Sequence, residues 1–174
     1  MTPHPDWLLD VVRPGDLLAD DDALVARAIA VADANIRHTT GGPFGAIVTT
    51  ADGCVVAAGA NAVVPSSDPT AHAEVMAIRR ATAAAGSWSL RGMRLATSCA
   101  PCIMCTGAIH WAGLGTVLVA SRAVDAEALG FVEGPEAFDA AGFLRVRGVI
   151  VREDIGRDAA CDVFRRYTGV IYNG

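Results

Sequence analysis

The stretch "GGPFGAIVTTADGCVVAAGAN", residues 41–61, carries two small-apolar and β-branched runs on either side of Asp52-Gly53. A dipeptide suited to a tight turn between two such runs predicts strand, turn, strand: a hairpin. Working outward, "DALVARAIAVADANIRH" (22–38) places Leu24, Val25, Ala28, Ile29, Ala32 and Ile36 on one helical stripe behind an aspartate run that can cap it. "DPTAHAEVMAIRRATAAAG" (68–86) opens on the helix-start signals Asp68 and Pro69 and stops at Gly86. "MRLATS" (93–98) reads as a third strand, and Pro101 opens a second core helix through about Ala112. "TVLVAS" (116–121) is a fourth strand, "LRVRGVIV" (144–151) a fifth, and residues 157–168 a terminal helix. Helices alternating with strands after an opening hairpin predict an α/β fold, a three-layer α/β/α sandwich around a mixed five-stranded sheet. With 174 residues and no repeat, low-complexity segment or linker, one domain over 1–174 is expected.

Composition narrows the function classes. A formal net charge of −5, with every basic residue an arginine, argues against a partner bound mainly through phosphates, so nucleic acid is not the expected ligand. Acids interleave with the later arginines (Glu153, Asp154, Asp158, Asp162), as on a solvated mixed-charge face. The start "MTPHPDWLLDVVRPGD" lacks the cationic flank and apolar core of a signal peptide. Residues 95–121 hold no Asp, Glu, Lys or Arg, but Pro101, Gly107, Gly113 and Gly115 make a buried helix and strand a better fit than a membrane span. A cytoplasmic protein with no membrane partner is expected. Five cysteines, three of them clustered, suit thiol or metal chemistry better than a secreted disulfide framework.

The chemistry-bearing residues are His72, Glu74 and the run "TSCAPCIMC" (97–105). A C-x-x-C is a redox pair, two core thiols or half a metal site. Cys102 and Cys105 lie three apart on an expected helix, so both thiols share a side, and the helix's positive end favours thiolates. Cys99 precedes Pro101 and need not converge with them. Two thiolates and the His72 imidazole make a zinc set of three protein ligands, which in a catalytic site leaves the fourth position open. Cys99 as a fourth ligand would close it into a structural site. Glu74, two residues from His72, argues for the open site, because a carboxylate there is a proton carrier and an inert site has no use for one. A local iron–sulfur run would need a cysteine at position 109, which is Ile109.

"HAE" followed by "PCIMC" resembles the H-x-E … P-C-x-x-C signature of the zinc-dependent cytidine deaminase superfamily. "GGPFGAIV", "SSDPTAHAEVMAIRRA", "TSCAPCIMCTGAIHWA" and "ALGF" together are similar to its bacterial guanine deaminase branch, from about residue 24 to 133. The resemblance implies a cytidine deaminase-like fold, one zinc per chain on His72, Cys102 and Cys105, and Glu74 as the catalytic proton shuttle. It further implies hydrolytic release of ammonia from a free nucleobase or related aminated heterocycle, with guanine first. Asn61 would hydrogen-bond the base edge, Phe44 would lie against its face, and Ala73 and Trp111 would line the pocket. The plainer readings are a turn asparagine, a core phenylalanine and a core tryptophan. Members of that branch read "GFDD" or "GFDE" where this chain has "GFVEG": Glu133 keeps the last acid and Val132 replaces the aspartate before it. Glu133 would then meet the base's amino group, and a triazine or azapyrimidine could present the same donor; the alternative is a solvated loop acid. Tyr172 is the candidate C-terminal aromatic covering the active site, its own or a partner subunit's, against a frayed terminus. Homodimers are implied as well, and a mean hydropathy of +0.37 permits one. Rival readings are a cytosine or azacytosine deaminase, a tRNA adenosine deaminase, and a zinc-stabilised structural or binding module.

Overall fold

The computed structural model describes residues 5–132, 134–135 and 138–172. In chain order the elements are α1 (Leu8–Val11), α2 (Asp21–Arg37), β1 (Gly45–Thr49), β2 (Val55–Ala60), α3 (Val63–Ser66), α4 (Ala73–Ala85) and β3 (Arg94–Cys99). They continue with α5 (Ile103–Ala112), β4 (Thr116–Ser121), α6 (Ala123–Glu127), α7 (Ala140–Arg145), β5 (Ile150–Arg152) and α8 (Arg157–Arg166). The five strands lie in the order β2-β1-β3-β4-β5. β1 runs antiparallel to both β2 and β3, whereas β3, β4 and β5 are parallel. This is the mixed sheet and α/β/α sandwich the sequence predicts, with the opening hairpin as its antiparallel edge.

Alternation along the strands explains the layers. Ile47, Ala96, Leu118 and Ala120 face a core shared with α2 and α8; Ala46, Val48, Leu95, Val117 and Val119 face one shared with α4 and α5. Both faces are dry, so the strands read as continuous apolar runs. Gly59 on β2 decides how closely α4 can approach: a Cβ there would fall 2.1 Å from the Ala73 carbonyl oxygen and 2.5 Å from the Ala77 nitrogen. Only glycine lets the first turn of α4, which carries "HAE", rest on the sheet.

Four boundaries differ from the sequence reading. The first turn of α4 starts at Ala73 with His72 as the cap, because Asp68 is spent on its own turn, its Oδ1 accepting from the Thr70 N–H at 2.8 Å. Helix α5 starts at Ile103, not at Pro101, since the Cys102 sulfur takes the capping position and accepts from the Cys105 N–H at 3.4 Å. The fifth strand is only Ile150–Arg152: Leu144 and Arg145 belong to α7, which Asp139 caps by accepting from the Gly142 N–H at 2.7 Å. The terminal helix α8 stops at Arg166, ahead of the expected 168, with Tyr167 already extended. No helix among the described residues is long and apolar enough to cross a membrane.

Candidate active site

Two helix N-termini meet at the C-terminal end of β3. His72 caps α4 and Cys102 caps α5, with Cys105 one turn further in. The Nδ1 of His72 lies 3.5 Å from the Cys102 sulfur and 3.6 Å from the Cys105 sulfur. Tetrahedral zinc with ordinary Zn–N and Zn–S bonds separates such donors by about 3.6 Å. All three donor atoms lie within 4.8 Å of one another, so the donor chemistry and the spacing both fit zinc. Electrostatics favour the ionised form at one of the two sulfurs. The Cys102 thiol is pulled down to about 4, first by the Cys105 sulfhydryl and then by His72 and the Cys105 N–H. Cys105 moves the other way, because it keeps the proton it shares with Cys102, is buried, and stands beside Glu74.

Cys99 does not join this group. Its sulfur donates to the Arg122 carbonyl at 3.6 Å, and the metal-ligating cluster found among the described residues is His72, Cys102 and Cys105 alone. Glu74 sits on the first turn of α4, 5% exposed. Its Oε2 accepts from the Cys105 sulfhydryl at 3.4 Å, and its Oε1 lies 3.2 Å from the Thr97 hydroxyl.

A pocket lined by Phe44, Asn61, His72, Ala73, Glu74 and Cys102 opens beside these groups. Asn61 ends β2 with its amide orientation fixed: Oδ1 accepts from the Gly42 N–H at 3.3 Å and the Val63 N–H at 3.4 Å, leaving Nδ2 to face the pocket. Nδ2 donates to the Tyr172 phenol at 2.7 Å. The Tyr172 ring packs edge-on against His72 (5.8 Å between centroids) and beside Phe131 (5.1 Å), so the tail closes over its own chain's site. The pocket itself holds about 10 Å³, too little for any base in this conformation. Phe44 fills both of its readings, lining the pocket while its ring edge meets Phe131 and Phe164 in the core.

Trp111 requires a correction. It is 78% exposed and lies outside the pocket and outside the core. Helix α5 buries Cys105, Thr106, Ile109 and Ala112, and a residue two beyond Ile109 falls on the opposite face. Glu133 lies outside the described residues. The sequence reading passed over two residues. Thr97 is a buried hydroxyl facing the Glu74 carboxylate, and Asn35 is a polar residue inside the apolar stripe of α2. The Nδ2 of Asn35 donates to the carbonyls of Gly42 and Asn61, each at 2.8 Å, tying the loop before β1 to the end of β2. An amide on a core-facing stripe was the available signal, since burying one demands partners.

Residues 18–121 match the cytidine and deoxycytidylate deaminase zinc-binding region. The chain belongs to this family. Zinc is accordingly the metal of this family's domain, and His72, Cys102 and Cys105 fit it. A guanine deaminase of Bacillus subtilis is 44% identical over 110 residues, 63% of this chain and 70% of the relative. Among solved structures, NE0047 in complex with 2,6-diaminopurine superimposes with a TM-score of 0.90 at 38% identity, covering 98% of this chain and 95% of the other. A guanine deaminase from Nitrosomonas europaea gives 0.89 at 36%, covering 96% and 94%.

Proposed function

We propose that this chain hydrolyses the amino group from a free purine base, guanine ahead of others, as a cytoplasmic homodimer of one-domain subunits. The observation that carries the reading is the buried Glu74 carboxylate placed against a three-ligand zinc set, beside a pocket that Asn61 supplies with an amide N–H, held here by the Tyr172 phenol. The relatives named as guanine deaminases, and the neighbour that binds the aminated purine 2,6-diaminopurine, support the choice of base.

Zinc, when bound, supplies a water that ionises near neutral pH. The chain's own residues do the rest. Asn61 Nδ2 exchanges the Tyr172 phenol for an acceptor on the base edge, and Phe44 and Ala73 bound its face. Glu74 takes a proton from the attacking water and gives it to the ring nitrogen next to the amino-bearing carbon. It then takes the remaining proton from the hydroxyl added to that carbon and delivers it to the amine, which leaves as ammonia while the C=O of the product forms. Glu133 is assigned to accept from a second N–H of the base. Thr97 serves Glu74 by following its charge. Its hydroxyl lies 3.2 Å from Glu74 Oε1 and 3.0 Å from the Cys99 carbonyl. It donates to the carboxylate while that is ionised, and turns to the carbonyl when Glu74 is protonated and becomes the donor.

Two measurements test this. Ammonia release across guanine, adenine, cytosine, azacytosine, aminotriazines and their nucleosides should be at least about tenfold faster per KM with guanine, a 1.4 kcal/mol preference. Equal or faster release from a pyrimidine or triazine overturns the assignment. Thr97→Val should lower kcat about tenfold with KM and zinc content unchanged, and Thr97→Ser should restore it. A raised KM with normal kcat would instead place Thr97 in base binding.

A further inference from the structure

A second cavity, of about 240 Å³, shares Asn61 with the base pocket and is lined by none of the three metal ligands. Pro5, Ala60, Ala62, Pro65 and Met76 give it largely apolar walls, and Arg80 of α4 is its one charged residue. Arg80 is only 5% exposed. Its Nη1 donates to the Ala58 carbonyl at 2.9 Å on the outer edge of β2. Nε is buried with no partner, and no carboxylate among the described residues pairs with this guanidinium. Burial therefore works against its charge, lowering its pKa from the ordinary arginine value.

The other polar groups around the cavity are already engaged. Asn35 Nδ2 serves two carbonyls and its Oδ1 accepts from the Thr40 hydroxyl at 2.8 Å. The Thr40 hydroxyl in turn accepts from the Trp7 indole, and the Ser66 hydroxyl donates to the Ala62 carbonyl. What remains is one guanidinium whose Nε has no partner but is closed to water in this conformation, with Nη2 beside it. A guest on the Nε–Nη2 edge therefore requires that edge to open. Two parallel N–H donors in that fork match a planar carboxylate, and an ion pair there would offset the buried charge. A phosphate dianion would need more donors than one fork offers. The volume lies below the range of about 300–1,000 Å³ usual for drug-sized ligands, which restricts the guest to a small acid.

We propose that this cavity is a second ligand site, taking a small apolar monocarboxylate on the Arg80 guanidinium. Asn61 lines both this cavity and the base pocket; its carbonyl accepts from Asn35 and its Nδ2 donates to Tyr172. An acid bound at Arg80 thus changes the affinity for the base, and the base changes the affinity for the acid by the same factor.

Benzoate is a suitable probe, with benzamide as its uncharged counterpart and inorganic phosphate as the alternative anion. Calorimetry on the zinc-loaded chain with no base present should show benzoate binding with a Kd on the order of 1 mM, and neither benzamide nor phosphate competing. Arg80→Met should weaken benzoate at least about tenfold while zinc content and thermal unfolding are retained. Arg80→Lys, which keeps the charge and loses the fork, decides the matter if the methionine variant fails to fold: it should fall well below wild type. Absence of benzoate binding overturns the proposal, as does equal binding of benzamide. So does benzoate binding that survives Arg80→Met, which would place the acid at the zinc ligands instead. A change of oligomeric state in Arg80→Met would assign the guanidinium to a carboxylate of a second copy and overturn it too. None of these readouts depends on which base is deaminated.

Discussion

Glu74→Gln is expected to lower turnover by about a thousandfold or more while zinc content stays at the wild-type level. The substitution is nearly isosteric, so the 5% exposed side chain keeps its place on α4 and can still meet the Thr97 hydroxyl. What it loses is the capacity to carry a proton. Attack by water and departure of the amine both require one, so a neutral amide in this position stalls the reaction at both ends. Steady-state ammonia release together with metal analysis of the same sample checks it. Near-normal turnover with zinc retained would remove Glu74 from the mechanism.

Single cysteine replacements should separate the three thiols of "TSCAPCIMC" sharply. Cys102→Ser and Cys105→Ser should each lose zinc by more than the roughly 10–100-fold that loss of an outer-shell partner costs, and activity with it. Cys99→Ser should retain both, because its sulfur is turned to the Arg122 carbonyl. Zinc loss in Cys99→Ser would instead indicate a closed structural site. The pH dependence has a definite sign. Metal binding needs thiolates; hydrogen bonding from Cys105 and His72 pushes Cys102 down, whereas Cys105, buried beside Cys102 and Glu74, is pushed above the ordinary thiol range, so the pair still holds a proton. Zinc uptake should therefore release a proton from Cys105, and affinity should rise with pH and fall as pH drops. Chelator competition at a series of pH values measures this, and a flat profile would contradict it.

Much of this was legible in the sequence, for identifiable reasons. The hairpin, the stripe of α2 and the apolar strands announce themselves because period and turn chemistry agree with burial. The ligand triad was legible because metal chemistry permits few residue types at few spacings. Failures came where side chains displaced backbone rules. Asp68 looked like a helix start and caps a turn; Cys102 looked helical and is itself the cap. "LRVRGVIV" has strand composition, yet its first residues finish a helix that a capping aspartate had begun. Trp111, carried to the pocket by the family resemblance and to the core by its apolar neighbours, lies in neither, because it falls on the face of α5 opposite Ile109. Thr97 and Arg80 went unread because their importance lies in what faces them across the fold, which no local spacing records.

The position of Tyr172 has a consequence for how affinity at this site is to be understood. The phenol takes the Asn61 Nδ2 donor that a base would use, so tail and base are rivals for one amide N–H. A measured dissociation constant is then the intrinsic one divided by the fraction of molecules whose tail has lifted. Discrimination among bases is unaffected, since every base meets the same rival. The absolute strength of binding, however, can be tuned from residues 167–172 without altering any group that touches the reacting atoms.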